Sequence, residues 1–151
     1  MFRLPEDNSG FTMIEIIAVL VIIGVLAAIA ISRAISTSEY SLVSEAEILK
    51  NNLRFAQIKA MGDVSPDTWG ISVSSASYRL VCTGANCPQM VTNLPGDSSS
   101  THSFSGGISA SSAAINFDTW GSPAGKTLTV ILTDGSQKAA ISVTANTGYI
   151  P

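Results

Sequence analysis

The chain has 151 residues, room for one domain and an anchoring segment. Charged residues are 13% of it, about half the usual share. Ser, Thr, Gly and Ala fill the gap, which suits an exported β-rich domain better than a cytosolic enzyme. A net charge of −3 leaves no basic footprint for nucleic acid, so none is expected as a partner.

Residues 1–10, Met-Phe-Arg-Leu-Pro-Glu-Asp-Asn-Ser-Gly, form a short polar leader. They lack the apolar run of a standard secretory signal. Their one base, Arg3, is offset by Glu6 and Asp7, so the positive charge expected of a cytoplasmic flank is weak.

From Ile16 to Ile31 no side chain is charged or strongly polar. As a helix, Phe11–Ile31 would span roughly 31 Å, about the hydrocarbon thickness of a bilayer. Glu15 breaks the apolar pattern. A carboxylate costs about 2.5–3.5 kcal/mol at mid-bilayer and less toward the edge, and a group that costly usually has a task and a partner.

Gly10, then Phe11-Thr12-Met13-Ile14-Glu15, then a long apolar helix resembles the cleavage and methylation segment of type IV pilins and of type II secretion pseudopilins. The resemblance implies that a prepilin peptidase cuts after Gly10 and N-methylates Phe11. It implies that Glu15, the fifth residue after the cut, serves assembly with other subunits into a helical filament. Membrane lipid would surround the helix beforehand, and an inner-membrane assembly platform would extract it. Two positions depart from the family pattern: Ser9 stands where Lys or Arg is usual, and Ser32 where Pro is usual. Gly24 is then the remaining point where the helix could loosen, since Gly costs about 1 kcal/mol relative to Ala.

Elementary electrostatics agrees with the resemblance. Cleavage would create an amine four residues before Glu15, on the same helix face. That amine could pair with its own Glu15 or with the Glu15 of a neighbouring subunit, and either pairing offsets the desolvation of both charges. An ordinary signal anchor that tolerates one Glu is the plainer alternative. It accounts for neither Gly10 nor the leader.

The helix should continue to residue 61. Leu42, Ala46, Leu49, Leu53, Ala56 and Ala60 fall at spacings of 4, 3, 4, 3 and 4, one apolar stripe ready to receive a sheet. Arg33, Glu39, Glu45, Glu47, Lys50 and Lys59 sit mostly off it. Gly62 suits the C′ position, with Lys59 in the last turn.

Asp63–Asp67 reads as a turn-rich linker. Thr68–Ser74 and Ser77–Thr83 read as a strand pair, with Tyr78, Leu80 and Cys82 on one face. A candidate strand follows at Gln89–Leu94, then a Gly/Ser-rich surface loop over 95–112, then a short candidate strand at Ala114–Asp118. Thr127–Thr133 and Ser136–Ala145 form a last hairpin around Asp134-Gly135, expected as a two-residue type I′ turn. Ala139, Ile141 and Val143 share a face of its second strand. The expected class is α+β, a long N-terminal helix packed on an antiparallel sheet. The segments are leader 1–10, membrane-spanning helix 11–32, amphipathic helix 33–62 and β domain 63–151.

The helix end Leu49–Met61, Trp69-Gly70-Ile71, Ile115-Asn116-Phe117 and a final hairpin ending Thr-Gly-Tyr-Ile are also similar to the GspH/FimT group of minor pseudopilins and minor pilins. Some members of that group bind DNA through a basic tail. Gly148–Pro151 has no Lys or Arg, which disfavours that role here.

Candidate chemistry elsewhere is sparse. Cys82 and Cys87 would pair as a disulfide in an oxidising compartment, and their spacing argues against zinc. His102 can be written beside Asp97, Ser98 and Ser103 as a Ser-His-Asp set, but no motif supports a triad and a solvated loop histidine is the simpler reading. Asp63 and Asp67 are better placed for turns and caps than for calcium. Trp69 and Trp120 read as core or sheet-cover aromatics. No catalytic residue, metal or cofactor is expected. The leading expectation is a structural filament subunit acting in type II secretion or pilus biogenesis. The alternatives are a major or MSHA-type pilin for adhesion or motility, and a membrane-anchored periplasmic binding module.

Overall fold

The computed structural model describes residues 11–63, 67–88, 92–123 and 125–151, and of 31–39 the backbone alone. The leader, with Gly10, therefore lies outside the described residues, as do 64–66 of the linker, 89–91 of the candidate strand, and the side chains of Ser32, Arg33 and Glu39. One helix, α1, spans Met13–Gly62 and passes through Gly24 and Ser32 without a break. The chain divides into two compact units, 1–37 and 38–151.

In the first unit, Thr12 opens α1. Its side-chain oxygen accepts the Glu15 amide at 3.3 Å, and its carbonyl accepts the Glu15 and Ile16 amides at 3.1 and 3.2 Å. Thr12 thus satisfies donors that a helix start leaves unpaired. Met13–Ala30 is long and apolar enough to cross a membrane, and none of it is buried.

The second unit packs the remainder of α1 against two antiparallel sheets, so the class is α+β. The strands are β1 Thr68–Val73, β2 Ser77–Thr83, β3 Thr101–Ser103, β4 Ser109–Ala110, β5 Ala113–Phe117, β6 Leu128–Thr133 and β7 Lys138–Val143. They are ordered β3-β2-β1-β5 and β4-β6-β7. β1 is central in the larger sheet, pairing Ile71 with Leu80 on one side and with Ile115 on the other. At Gly70 a side chain would collide with the Ile115 carbonyl and with Asn116 on β5, so only glycine lets those backbones approach.

All six stripe residues, Leu42, Ala46, Leu49, Leu53, Ala56 and Ala60, are buried, and they join Ile71, Leu80, Ile115, Phe117, Val130 and Ile141 in one core. Two polar flanks run beside the stripe. Glu45, Asn52 and Lys59, seven residues apart, face the larger sheet: the Asn52 amide donates to the Tyr78 hydroxyl at 2.7 Å, and the Lys59 ammonium sits 5.5 Å from the Trp69 ring centre. The other flank holds the C-terminal segment. Gln57 donates to the carbonyls of Gly121 and Gly148 at 2.8 and 3.0 Å, and Arg54 donates to that of Ile150 at 3.1 Å.

Several expectations need correction. Gly62 is the last helical residue and has no positive φ, so it is not a left-handed cap. Residues 92–94 form no strand, while the expected loop over 95–112 contains β3 and β4. The β6–β7 turn closes around Gly135-Ser136, because Asp134 pairs with Gln137. Of those two, only Gly135 has positive φ, whereas type I′ needs both. The Asp134 carboxylate accepts the amides of Ser136 and Gln137 and so sets the turn. Trp69 is core, but Trp120 is 86% exposed at the tip of a turn pinned by Asp118.

Candidate functional site

Among the described residues three groups bear chemistry, and the first is the N-terminal stretch. Every side chain from Phe11 to Ala30 is exposed, including Ile14, Leu20, Ile22, Val25 and Leu26. A continuous apolar surface of this length is not left facing water; lipid or other apolar helices must cover it. Glu15 is the third residue of the helix, where the partial positive charge of the helix start favours a carboxylate. Thr12-x-x-Glu15 has the spacing of a capping box. The sequence reading missed the Thr12 cap, although that spacing carried the signal.

The second group lies beneath β3. His102 Nδ1 faces the Asp97 carboxylate at 2.9 and 3.1 Å, and Nε2 faces Glu45 Oε2 at 3.0 Å. The other Glu45 oxygen accepts the Ser105 hydroxyl at 2.6 Å and the Ser105 amide at 3.2 Å. The imidazole stacks on Tyr78 at 4.9 Å between centroids. His102 is therefore not a solvated loop residue: its side chain is 15% exposed, and that of Glu45 only 6%. Burial opposes charge on Glu45, but hydrogen bonds from Ser105 and His102 outweigh it and hold the carboxyl below its ordinary value. Burial likewise opposes charge on His102, and Glu45 and Asp97 outweigh it and raise the imidazole.

This is not a hydrolase triad. Both ring nitrogens face carboxylates, so neither is directed at a serine hydroxyl. The sequence reading puts Glu45 among the charges mostly off the stripe. It lies three residues after Leu42 and four before Leu49, a spacing that puts it at the stripe's edge.

The third group joins Asp67, Cys82 and Cys87, whose ligand-type atoms lie within 4.8 Å of one another. The two sulfurs are bonded as a disulfide, which removes them as thiolate ligands. Asp67 acts as a cap: its carboxylate accepts the Asn86 amide at 3.1 Å and packs against Gly84, where any side chain would collide with it. Asp63 accepts the Trp69 indole N–H at 2.7 Å.

Residues 7–31 match the family model of the prokaryotic N-terminal methylation motif. No curated protein and no solved structure matches the chain. The matched segment contains Gly10, Phe11 and Glu15 and ends where the exposed apolar helix has run its length. It supports a prepilin-like subunit of the type IV pilin or pseudopilin kind, anchored in a membrane.

Proposed function

We propose that this chain is a structural subunit of a type IV filament, made as a membrane-anchored precursor and matured by a prepilin peptidase. Cleavage falls between Gly10 and Phe11, and the new Phe11 amine is N-methylated. The observation that carries this reading is the methylation motif at 7–31, which takes in an uncovered apolar helix at Met13–Ala30.

Assembly then follows from charge. In lipid, Glu15 costs up to about 3.5 kcal/mol depending on depth. An amine at Phe11 of a neighbouring subunit would neutralise it in the same apolar layer, so docking is favoured where the next subunit leaves the membrane. The apolar faces of residues 16–31 exchange lipid for one another, and the C-terminal unit makes the contacts that distinguish this subunit from others. Within this class we favour a minor pseudopilin or minor pilin of the GspH/FimT kind, on the Trp69-Gly70-Ile71 and Ile115-Asn116-Phe117 strands and the Thr-Gly-Tyr-Ile ending.

The test is Glu15→Ala in cells. The variant should insert in the membrane at normal abundance and co-purify with partner subunits at least tenfold less than the unmodified protein. Incorporation at the normal level would overturn the role of Glu15.

A further inference from the structure

We propose that Glu45, His102 and Asp97 form a proton-governed latch, which tightens the hold of the segment 97–105 on α1 while His102 is protonated and loosens it once that proton is lost. The argument starts from donor count. A neutral imidazole has one N–H donor and one acceptor nitrogen, whereas a carboxylate only accepts. His102 meets a carboxylate at both nitrogens, Asp97 at Nδ1 and Glu45 at Nε2. Only the imidazolium satisfies both. Loss of the proton leaves a nitrogen lone pair against a carboxylate in a partly buried site, where repulsion is poorly screened.

The surroundings reinforce this geometry. Glu45 projects from α1 and Asp97 from the loop before β3; Tyr78, on β2, covers one face of the ring. Burial drives the Tyr78 phenol far above its ordinary range, so it stays neutral throughout. Phe104 meets the ring edge-on at 6.4 Å and carries no charge. Backbone pairing ties β3 to β2 independently of pH. The tie from this segment to α1 through Glu45 depends on His102 and Ser105.

The direction of the response is fixed by the raised imidazole. The latch contributes fully below the ordinary histidine value of 6.5 and is lost as pH rises through the higher folded value. The opening equilibrium then changes by up to about tenfold for each pH unit between the unfolded and folded imidazole values. The tie to α1 is thus strongest while Glu45 and Asp97 are ionised and His102 is charged, and it weakens as pH rises through the raised imidazole value.

His102 is the only histidine in the chain, so its signals need no assignment. The experiment uses the full chain in detergent micelles with 15N-labelled histidine, titrated from about pH 5 to about pH 10. Amide exchange is followed in parallel. The expected results are two protonated ring nitrogens below the midpoint, a midpoint above 6.5, and protection of the Ser105 amide, which donates to Glu45, that falls relative to β6–β7 beyond the midpoint. Glu45→Gln should lower the midpoint and flatten the exchange response. A midpoint at or below 6.5 in the unmodified protein, or protection of the Ser105 amide that tracks β6–β7 across the titration, would overturn the latch.

Discussion

Replacing Gly148 by Ala tests whether the C-terminal segment is locked onto α1 as described. Gly148 has φ of 63°, a conformation that costs a non-glycine residue about 1–2 kcal/mol. A second cost comes from its neighbours. The added methyl would run into the Gly121 carbonyl and the Gln57 amide nitrogen. Relief requires moving one of them, which breaks the Gln57 hydrogen bonds to Gly121 and Gly148. At about 0.5–1.5 kcal/mol each, these bring the total to about 2–5 kcal/mol. Gly125 supplies the control: its φ is 77°, and the nearest atom to an added methyl is Asn146 Oδ1 at 3.8 Å. Gly125→Ala should therefore show only the backbone cost of about 1–2 kcal/mol. Urea unfolding of the full chain in mild detergent, followed by fluorescence of the buried Trp69, measures both. Equal losses in the two variants would refute the docking of residues 148–150 on Gln57.

Leu53 is fully buried at the centre of the helix stripe, so Leu53→Ala should lower unfolding stability by about 2.7–5 kcal/mol, while Val43→Ala on the exposed face should change it by less than about 0.5 kcal/mol. Glu45 is held below its ordinary value of 4.5, so its contribution is present above that value and lost as pH falls through the folded one; Glu45→Gln should flatten the acid limb of the stability–pH curve, and an unchanged limb would contradict the pairing. Reducing the Cys82–Cys87 disulfide, which closes a short loop, should cost about 2 kcal/mol, seen as a lower urea midpoint with reductant; an unchanged midpoint would show that Asp67 alone holds the loop.

What could be read from the sequence was what repeats. The stripe from Leu42 to Ala60 was legible because burial on a helix recurs every three to four residues, and every predicted member is in the core. β1 and β6 were legible because Thr or Ser recurs between apolar residues, and β2 and β7 because Tyr78, Leu80 and Cys82, and Ala139, Ile141 and Val143, recur at every second position. β3 and β4 were not, since three and two residues are too few to show an alternation, and their pairing partners are distant in sequence. Glu45 was lost for a related reason. A stripe drawn from apolar residues cannot include a charged one whose partners, His102 and Ser105, lie 57 and 60 residues away. The turn at Gly135 was misassigned by one residue because Asp134 hydrogen-bonds across the turn instead of occupying it. At the N terminus the sequence was most informative: Gly10, Phe11 and Glu15 stand at fixed spacing, and Thr12 adds the cap that starts the helix.

The mass of the N-terminal peptide of the protein isolated from membranes tests the central claim most directly. The account predicts a chain that begins at Phe11 and is one methyl group heavier than the unmodified sequence, with a Gly10-substituted variant remaining at precursor length. A chain that still begins at Met1, with a free unmodified amine, would contradict it.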